Sequence, residues 1–167
     1  MQDLSWISSI GLFFNGVDVS EGEEEIEKLF YEATGYTFNV DIDAGRWYNF
    51  PILTGIKFQN NFLPEVAGFG IFQIGLNITK APNYDLTKRL GSRSANGEGT
   101  NEMSTSLGFC FGGGLVFNDK FVVNLMYNDL GKPEFDQELK FKGESETFKG
   151  EIKQKISLLL FYFGIKY

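Results

Sequence analysis

Histidine is absent from this 167-residue sequence, and cysteine occurs once, at Cys110. Without an imidazole, Ser-His-Asp and Cys-His catalysis, the HExxH metalloprotease helix and His-ligated zinc are excluded together. A single thiol forms no disulfide within the chain. Long apolar runs are missing too: the longest uncharged stretch near the C-terminus, residues 156–165, falls well short of the roughly eighteen residues of a transmembrane helix. Positive charge is sparse. Fifteen Lys and Arg stand against twenty-two Asp and Glu, and no basic cluster interleaves with aromatics, which disfavours nucleic acid. Proline is rare while glycine is frequent, four against twenty, a balance of strands and turns rather than disorder. The opening Met1-Gln-Asp-Leu-Ser-Trp6 has neither the basic start nor the apolar core of a signal peptide. The expectation is that a leader has been removed or that Met1 lies inside a longer natural chain.

What the sequence does have is aromatic side chains and a segregated distribution of charge. Eighteen Phe, seven Tyr and two Trp exceed the share in an average soluble domain. Six windows, residues 5–17, 47–56, 66–79, 103–118, 121–128 and 156–165, contain no Asp, Glu, Lys or Arg. They span roughly seventy residues, where about fifteen charges would be expected from average usage. Each is close to the roughly nine to eleven residues of a tilted membrane-crossing strand. Inside the windows large apolar and small neutral residues alternate, the period of a strand. Phe72, Ile74, Leu76 and Ile78 interleave with Gln73, Gly75, Asn77 and Thr79, and Leu107, Phe109 and Phe111 interleave with Gly108, Cys110 and Gly112. A water-soluble sheet would carry charge on its weaker face. Here that face is Gly, Ser, Thr, Asn and Gln.

The links support the same layout. Residues 59–65 and 118–120 are short; residues 18–46, 80–102 and 129–155 are long and hold most of the charge. Short and long alternate along the chain, as in bacterial barrels with tight turns on one side and polar loops on the other. In the first long link, Ser20 with Glu23 has the capping-box spacing, Ile26, Leu29, Phe30 and Ala33 share a helical face, and Gly35 stands at the stop. A short amphipathic helix is expected there. Its acidic start, Asp18, Glu21, Glu23, Glu24 and Glu25, lacks EF-hand spacing and is better explained as complementing the helix dipole than as a calcium site. Tyr36, Phe38, Val40 and Ile42 continue the phase of Phe50 and Ile52, and Phe135, Leu139 and Phe141 alternate with charged residues, so both segments are expected to extend strands as a protruding sheet. Residues 91–100 are expected to form a mobile loop tip. Gly112-Gly-Gly114 has no GK[ST] after it and is assigned to strand bending rather than phosphate binding.

Residues 49–57, 73–77, 111–114 with 118–120, 127–135 and 163–167 together resemble the small outer-membrane β-barrel proteins related to OmpX and the OmpA barrel, in the form abundant in Bacteroidota. The resemblance implies an all-β, antiparallel up-and-down transmembrane barrel of eight strands, in a single domain over residues 1–167. It places the chain in the outer membrane of a Gram-negative bacterium and assigns it no enzymatic activity and no cofactor. It also implies a sorting signal in the terminal strand, matched here by Phe163, Gly164, Ile165 and Tyr167, that the barrel-insertion machinery reads. Tyr162 stands where the family has glycine. Six spans are evident where the family has eight, so two N-terminal strands of the natural protein are expected to be absent, with self-association expected if the barrel is incomplete.

Three functional readings follow. In the first, a non-enzymatic membrane barrel of structural or interaction role with at most a narrow polar lumen, Phe50, Ile52, Phe72, Ile74, Phe109, Phe111, Phe161 and Phe163 face lipid. Trp6, Trp47, Tyr48 and Tyr167 then anchor the interface, and Lys57, Gln73, Asn77, Asn124 and Asn128 line the interior. A porin-like passage for solutes is not expected at this size. In the second, a soluble barrel turns its aromatics inward around an apolar ligand. The third, a membrane-embedded lipid-modifying enzyme, has no clustered nucleophile and base to support it.

Overall fold

The computed structural model of the chain describes residues 2–16, 19–142 and 147–165. In chain order the elements are β1 (Gln2–Ile10), β2 (Phe13–Asn15), α1 (Ser20–Thr34), β3 (Asn39–Ala44), β4 (Trp47–Leu63), β5 (Val66–Lys80) and β6 (Tyr84–Leu90). They continue with β7 (Arg93–Asn101), β8 (Met103–Phe117), β9 (Phe121–Asp129), β10 (Glu134–Phe141), β11 (Thr147–Lys153) and β12 (Ser157–Ile165). The fold is all-β apart from the one helix, and every strand pairing is antiparallel.

The larger sheet runs β1-β4-β5-β8-β9-β12, with β2 also on β4. The register passes straight from Ile10↔Ile52 to Phe13↔Asn49, so β1 and β2 are one strand interrupted opposite Pro51. Gly11 N–H bonds Pro51 O at 3.1 Å, but proline has no N–H to return the bond. Each charge-free window therefore becomes one strand of this sheet. β4 continues past its window to Leu63, which shortens the first link to a turn at Pro64 and Glu65. The second short link, Asn118–Lys120, turns with Asn118 and Asp119 at φ 51° and 54°, the left-handed region that Asn and Asp tolerate. Both turns lie at one end of the sheet and all three long excursions at the other.

The sheet curls tightly. A flat sheet keeps second-neighbour strands about 9.5 Å apart, yet Cα atoms of β4 and β8, with β5 between them, come within 8 Å. Ser9 of β1 reaches across β4 to bond Gln73 of β5. Space for this curvature comes from missing side chains on the concave face. A Cβ on Gly75 would collide with the Ile52 carbonyl, and one on Gly112 with the Leu125 carbonyl; Gly55 and Gly114 are held in the same way. The expected closed barrel is not formed among the described residues: β1 and β12 are the two ends of the sheet.

The long excursions build a second sheet, ordered β11-β10-β7-β6-β3. Three expectations change here. Residues 91–100 are not a mobile tip: only Gly91 and Ser92 turn, and β7 pairs with β6 and β10 on its two sides. Its glycines are covered by aromatic rings, Phe141 over Gly97 and Tyr84 over Gly99, which replace the side chains a strand normally packs. Second, β3 does not continue the outer face of β4. Phe38 and Val40 are buried whereas Phe50 and Ile52 are exposed, because the break at Gly45 and Arg46 turns the apolar side of β3 onto α1. Third, the helix N-cap is Val19, and the Glu23 carboxylate does not close a capping box but accepts the Ile42 N–H at 2.7 Å. Glu27 accepts the Val40 N–H at 2.8 Å. One helical turn and two strand residues have nearly the same pitch, so two carboxylates one turn apart satisfy alternate donors on the β3 edge. Lys88 lies over the Phe30 and Phe38 rings at 3.7 and 4.2 Å and clamps helix to strand. Gly35, at φ 71°, ends the helix as expected, its N–H bonding Tyr31 O.

Two outcomes test this architecture. Gly75→Val is expected to destabilise the folded chain by about 3 kcal/mol in urea titrations, whereas Gly70→Ala, whose added Cβ would meet nothing closer than 3.9 Å, is expected to be neutral. Glu23→Ala with Glu27→Ala is expected to speed amide exchange at Val40 and Ile42 about tenfold or more, the loss of a hydrogen bond to a charged acceptor, and to leave β5 and β8 unchanged.

Candidate functional site: the concave face and its mouth

Strand parity decides which side chains enter the curl. Odd residues of β4 and β5 and even residues of β8, β9 and β12 point inward, and their partners point out. The five polar residues expected inside, Lys57, Gln73, Asn77, Asn124 and Asn128, all project from the concave face. Gln73, Asn77 and Asn128 are buried there, and the Lys57 ammonium sits 4.6 Å from the centre of the Phe69 ring. The eight residues expected on the outside, Phe50, Ile52, Phe72, Ile74, Phe109, Phe111, Phe161 and Phe163, all project from the convex face and are exposed. Trp6 and Tyr48 lie on that convex face too. Trp47 does not. As an odd residue of β4 it turns inward and packs edge-on against the buried Phe135 ring at 5.3 Å, which corrects its assignment as an interface anchor. Of the terminal residues, Phe163 and Ile165 point outward and Gly164 inward; Tyr167 lies outside the described residues.

Near the loop end of the curl, Asn49, Asn77 and Thr79 form a buried polar cluster with essentially no solvent exposure, in which Asn77 Oδ1 alone of the three amide and hydroxyl oxygens lacks a partner among the described residues. Asn77 Nδ2 donates to Thr79 Oγ1 at 2.7 Å and to Asn49 Oδ1 at 3.3 Å, and Thr79 Oγ1 donates to Asn49 Oδ1 at 3.0 Å. The segment after β9 lies across this cluster. The Leu130 carbonyl accepts from Ser106 Oγ at 2.5 Å and from Asn77 Nδ2 at 3.5 Å, while Leu130 N–H bonds Ile156 O. Gly131, at φ 82°, allows the inward turn; a Cβ there would strike the Leu107 carbonyl. Leu130, Pro133 and Phe135 are among the most deeply buried side chains of the described residues. Residues 130–135 thus stopper the mouth beneath the second sheet, a role that sequence reading missed. Its only signals were the Leu-Gly-Lys-Pro turn pattern and one apolar residue, Leu130, outside a strand.

Below the stopper the concave face opens into a cavity of about 360 Å³. An apolar cluster of Leu53, Cys110 and Met126 forms its floor. Ser9, Gln73, Asn124, Asn128 and Tyr162 are its polar wall. Ser9 Oγ donates to Gln73 Oε1 at 3.2 Å, but Gln73 Nε2 and Asn124 Oδ1 have no partner among the described residues. Strands from both ends of the sheet, β1 with Ile7 and Ser9 and β12 with Tyr162 and Gly164, line this one cavity.

The chemistry available is that of a neutral lining. Among the described residues no three His, Cys, Asp or Glu side chains gather as metal ligands, and no carboxylate enters the cavity wall. Four of the ion pairs among the described residues lie on the second sheet. Lys149 meets Glu138 at 2.6 Å and Lys153 meets Glu134 at 2.7 Å. Hydrogen bonding and attraction from Lys153 hold the Glu134 carboxyl below its usual range, so this exposed pair helps β10–β11 pairing fully above that range and ceases to as pH falls below it, through the lowered folded-state value. Burial pushes the Tyr84 hydroxyl up, against an opposing hydrogen bond from Gln137. A wider hollow of about 520 Å³ on the second sheet is edged by Asp85, Glu98, Lys140 and Lys142, where opposite signs leave no field for one class of ion.

Asn77→Ala is expected to destabilise the folded state by about 1–3 kcal/mol, since it leaves Asn49, Thr79 and the Leu130 carbonyl short of a buried donor; urea unfolding followed by tryptophan emission measures it. No family model matches the chain, and neither a curated protein nor a solved structure shows significant similarity to it.

Proposed function

We propose that the chain is a membrane-spanning β-barrel protein of the bacterial outer-membrane type, with a structural or interaction role rather than an enzymatic one. The observation that carries this reading is the convex face of the larger sheet. Across β1, β4, β5, β8, β9 and β12 it presents chiefly Leu, Ile, Val, Phe, Tyr and Trp, its mid-strand hydroxyls Ser8 and Thr54 bond each other, and its charged members, Lys80 and Asp129, stand at strand ends by the loops. Exposed apolar patches on soluble monomers rarely exceed a few hundred Å², and a whole sheet face of this kind requires a non-aqueous neighbour. Apart from Lys57, the polar groups of the concave lining are amides and hydroxyls, the neutral filling that a narrow barrel interior takes. Turns at one end and charged excursions at the other fit a chain that crosses repeatedly and projects on one side. The outward alternation of Leu159, Phe161, Phe163 and Ile165 in β12 is the form of strand that barrel-insertion machinery engages in the family that the sequence resembles.

A soluble barrel holding an apolar ligand requires the aromatic side to be enclosed. Phe72, Phe109 and Phe161 on the outer face speak against it.

The test uses the two tryptophans. In a Trp47→Phe variant refolded into lipid vesicles, Trp6 emission is expected to be quenched by brominated acyl chains, and the folded protein to migrate faster on detergent gels before boiling than after. A monodisperse monomer in buffer without detergent, with Trp6 insensitive to brominated lipid, would sink the proposal.

A further inference from the structure

The second sheet has two unlike edges. On β3, carboxylates of α1 take up the outward N–H groups of Val40 and Ile42. At the other edge, β11 pairs only with β10 among the described residues. The bonds of β10 show which backbone groups of β11 stand open. The Asp136 carbonyl accepts from Glu102, just past the end of β7, and the Pro133 carbonyl accepts from Gln154, just past the end of β11. Neighbouring residues of a strand send their backbone groups to opposite sides, so the odd residues of β10 bond β11. Their register partners are even, with Gln137↔Gly150 at the centre. The N–H and C=O groups of Thr147, Lys149, Glu151 and Lys153 therefore line the open edge.

These four residues also share one face of the sheet, and charge on that face is unevenly placed. Glu102 stands opposite Asp136, and Asp136 opposite Glu151, a row of carboxylates that runs out to the edge. Like charges directly opposite destabilise a sheet. The cation that Glu151 meets is Lys153, diagonally at 3.2 Å, and Glu134 already holds it at 2.7 Å. In the next row Lys149 pairs with Glu138 and is the last residue before solvent.

From this edge we infer that β11 is a self-pairing surface. It takes β11 of a second copy, antiparallel about a twofold axis at Gly150, and joins two five-stranded sheets into one. Hydrogen bonding limits the register, because odd residues can face only odd residues. Charge selects among the registers that remain. An axis at Lys149 sets that ammonium against itself. An axis at Glu151 opposes carboxylate to carboxylate and Lys149 to Lys153. Axes nearer either end leave part of the strand overhanging. With the axis at Gly150, Lys149 faces Glu151 on both sides of it, Thr147 faces Lys153, and the whole seven-residue strand is paired. Each row of carboxylates then ends on a lysine of the second copy. Edge lysines ordinarily keep sheets apart; this edge is complementary to itself turned round. The pairing involves the second sheet alone and does not rest on the membrane reading.

Cysteine substitution in detergent micelles, where nothing restricts how two copies approach, tests the register. In a Cys110→Ala background, Gly150→Cys is expected to form a disulfide-linked dimer in a glutathione redox buffer. The two residues face each other as a non-hydrogen-bonded pair with Cα atoms about 4.5 Å apart, within disulfide reach, and the added Cβ meets nothing closer than 3.8 Å in its own chain. Lys149→Cys and Glu151→Cys are each expected to stay unlinked alone and to cross-link when mixed in equal amounts. Glu151→Pro removes an outward N–H without touching the bonds to β10. It is expected to raise the dimer dissociation constant, measured by sedimentation, at least about tenfold. Amide exchange at Gln137 and Leu139 is expected to stay unchanged in it. The inference is overturned if Gly150→Cys remains unlinked, if Lys149→Cys or Glu151→Cys links to itself as fast, or if Glu151→Pro dimerises as well as the parent. Should Glu151→Pro also speed exchange at Gln137 and Leu139, the strand has frayed and the cysteine set alone decides.

Discussion

The curl of the larger sheet depends on backbone meeting backbone at places where a side chain would stand. Gly75 faces the Ile52 carbonyl and Gly112 the Leu125 carbonyl with no room for a Cβ between them. Overpacking at such contacts costs kilocalories because neither carbonyl can move without breaking its ladder. From this constraint follow the 8 Å approach of β4 and β8, the Ser9–Gln73 bond across an intervening strand, and a concave face that is narrowest beside these glycines. Curvature also separates the two faces. The inner one crowds its groups together, while the outer one spreads Phe and Ile apart where no described residue covers them.

That separation explains the contrast between the two ends of the interior. Near the loops, Asn49, Asn77 and Thr79 bond one another and the Leu130 carbonyl, leaving Asn77 Oδ1 without a partner among the described residues, and the stopper at residues 130–135 is held by these neutral bonds and by the Asp129 carboxylate, which accepts the Gly131 N–H. Farther down, Gln73 and Asn124 each retain an unpartnered atom on the cavity wall, beside the seam where β1 and β12 end the sheet. On the membrane reading, the missing neighbours of β1 and β12 account for their bare backbone rows and for the unpartnered atoms of Gln73 and Asn124. The second sheet manages its own edge differently, by laying Glu23 and Glu27 of α1 along β3, a device that works in water because carboxylates can stay solvated beside it.

Strand identity and facing were legible residue by residue. Alternation such as Phe72-Gln73-Ile74-Gly75 can be buried or exposed in only two ways, and absence of charge over a whole window leaves no other element to choose. The second sheet was less legible for equally local reasons. β7 reads Arg93-Ser-Ala-Asn-Gly-Glu-Gly-Thr-Asn101, with no apolar member larger than alanine, and becomes a strand only because Tyr84 and Phe141 from neighbouring strands lie over its glycines. Glu23 satisfied a capping-box spacing yet went to Ile42, sixteen residues beyond the spacing rule's reach, and Trp47 looked like an outer aromatic until parity along β4 turned it toward Phe135.

The sequence by itself determined the all-β class, the six strands of the larger sheet, their turns and which side of each strand is greasy, because period-two patterning and charge act within a few residues of the chain. Only the tertiary structure decided that the sheet curls without closing, that residues 130–135 fold inward as a stopper, and that three charged excursions pair into one second sheet. Those outcomes depend on contacts between segments far apart in the chain, whose cost is set by curvature and edge pairing, quantities that no local pattern of residues encodes.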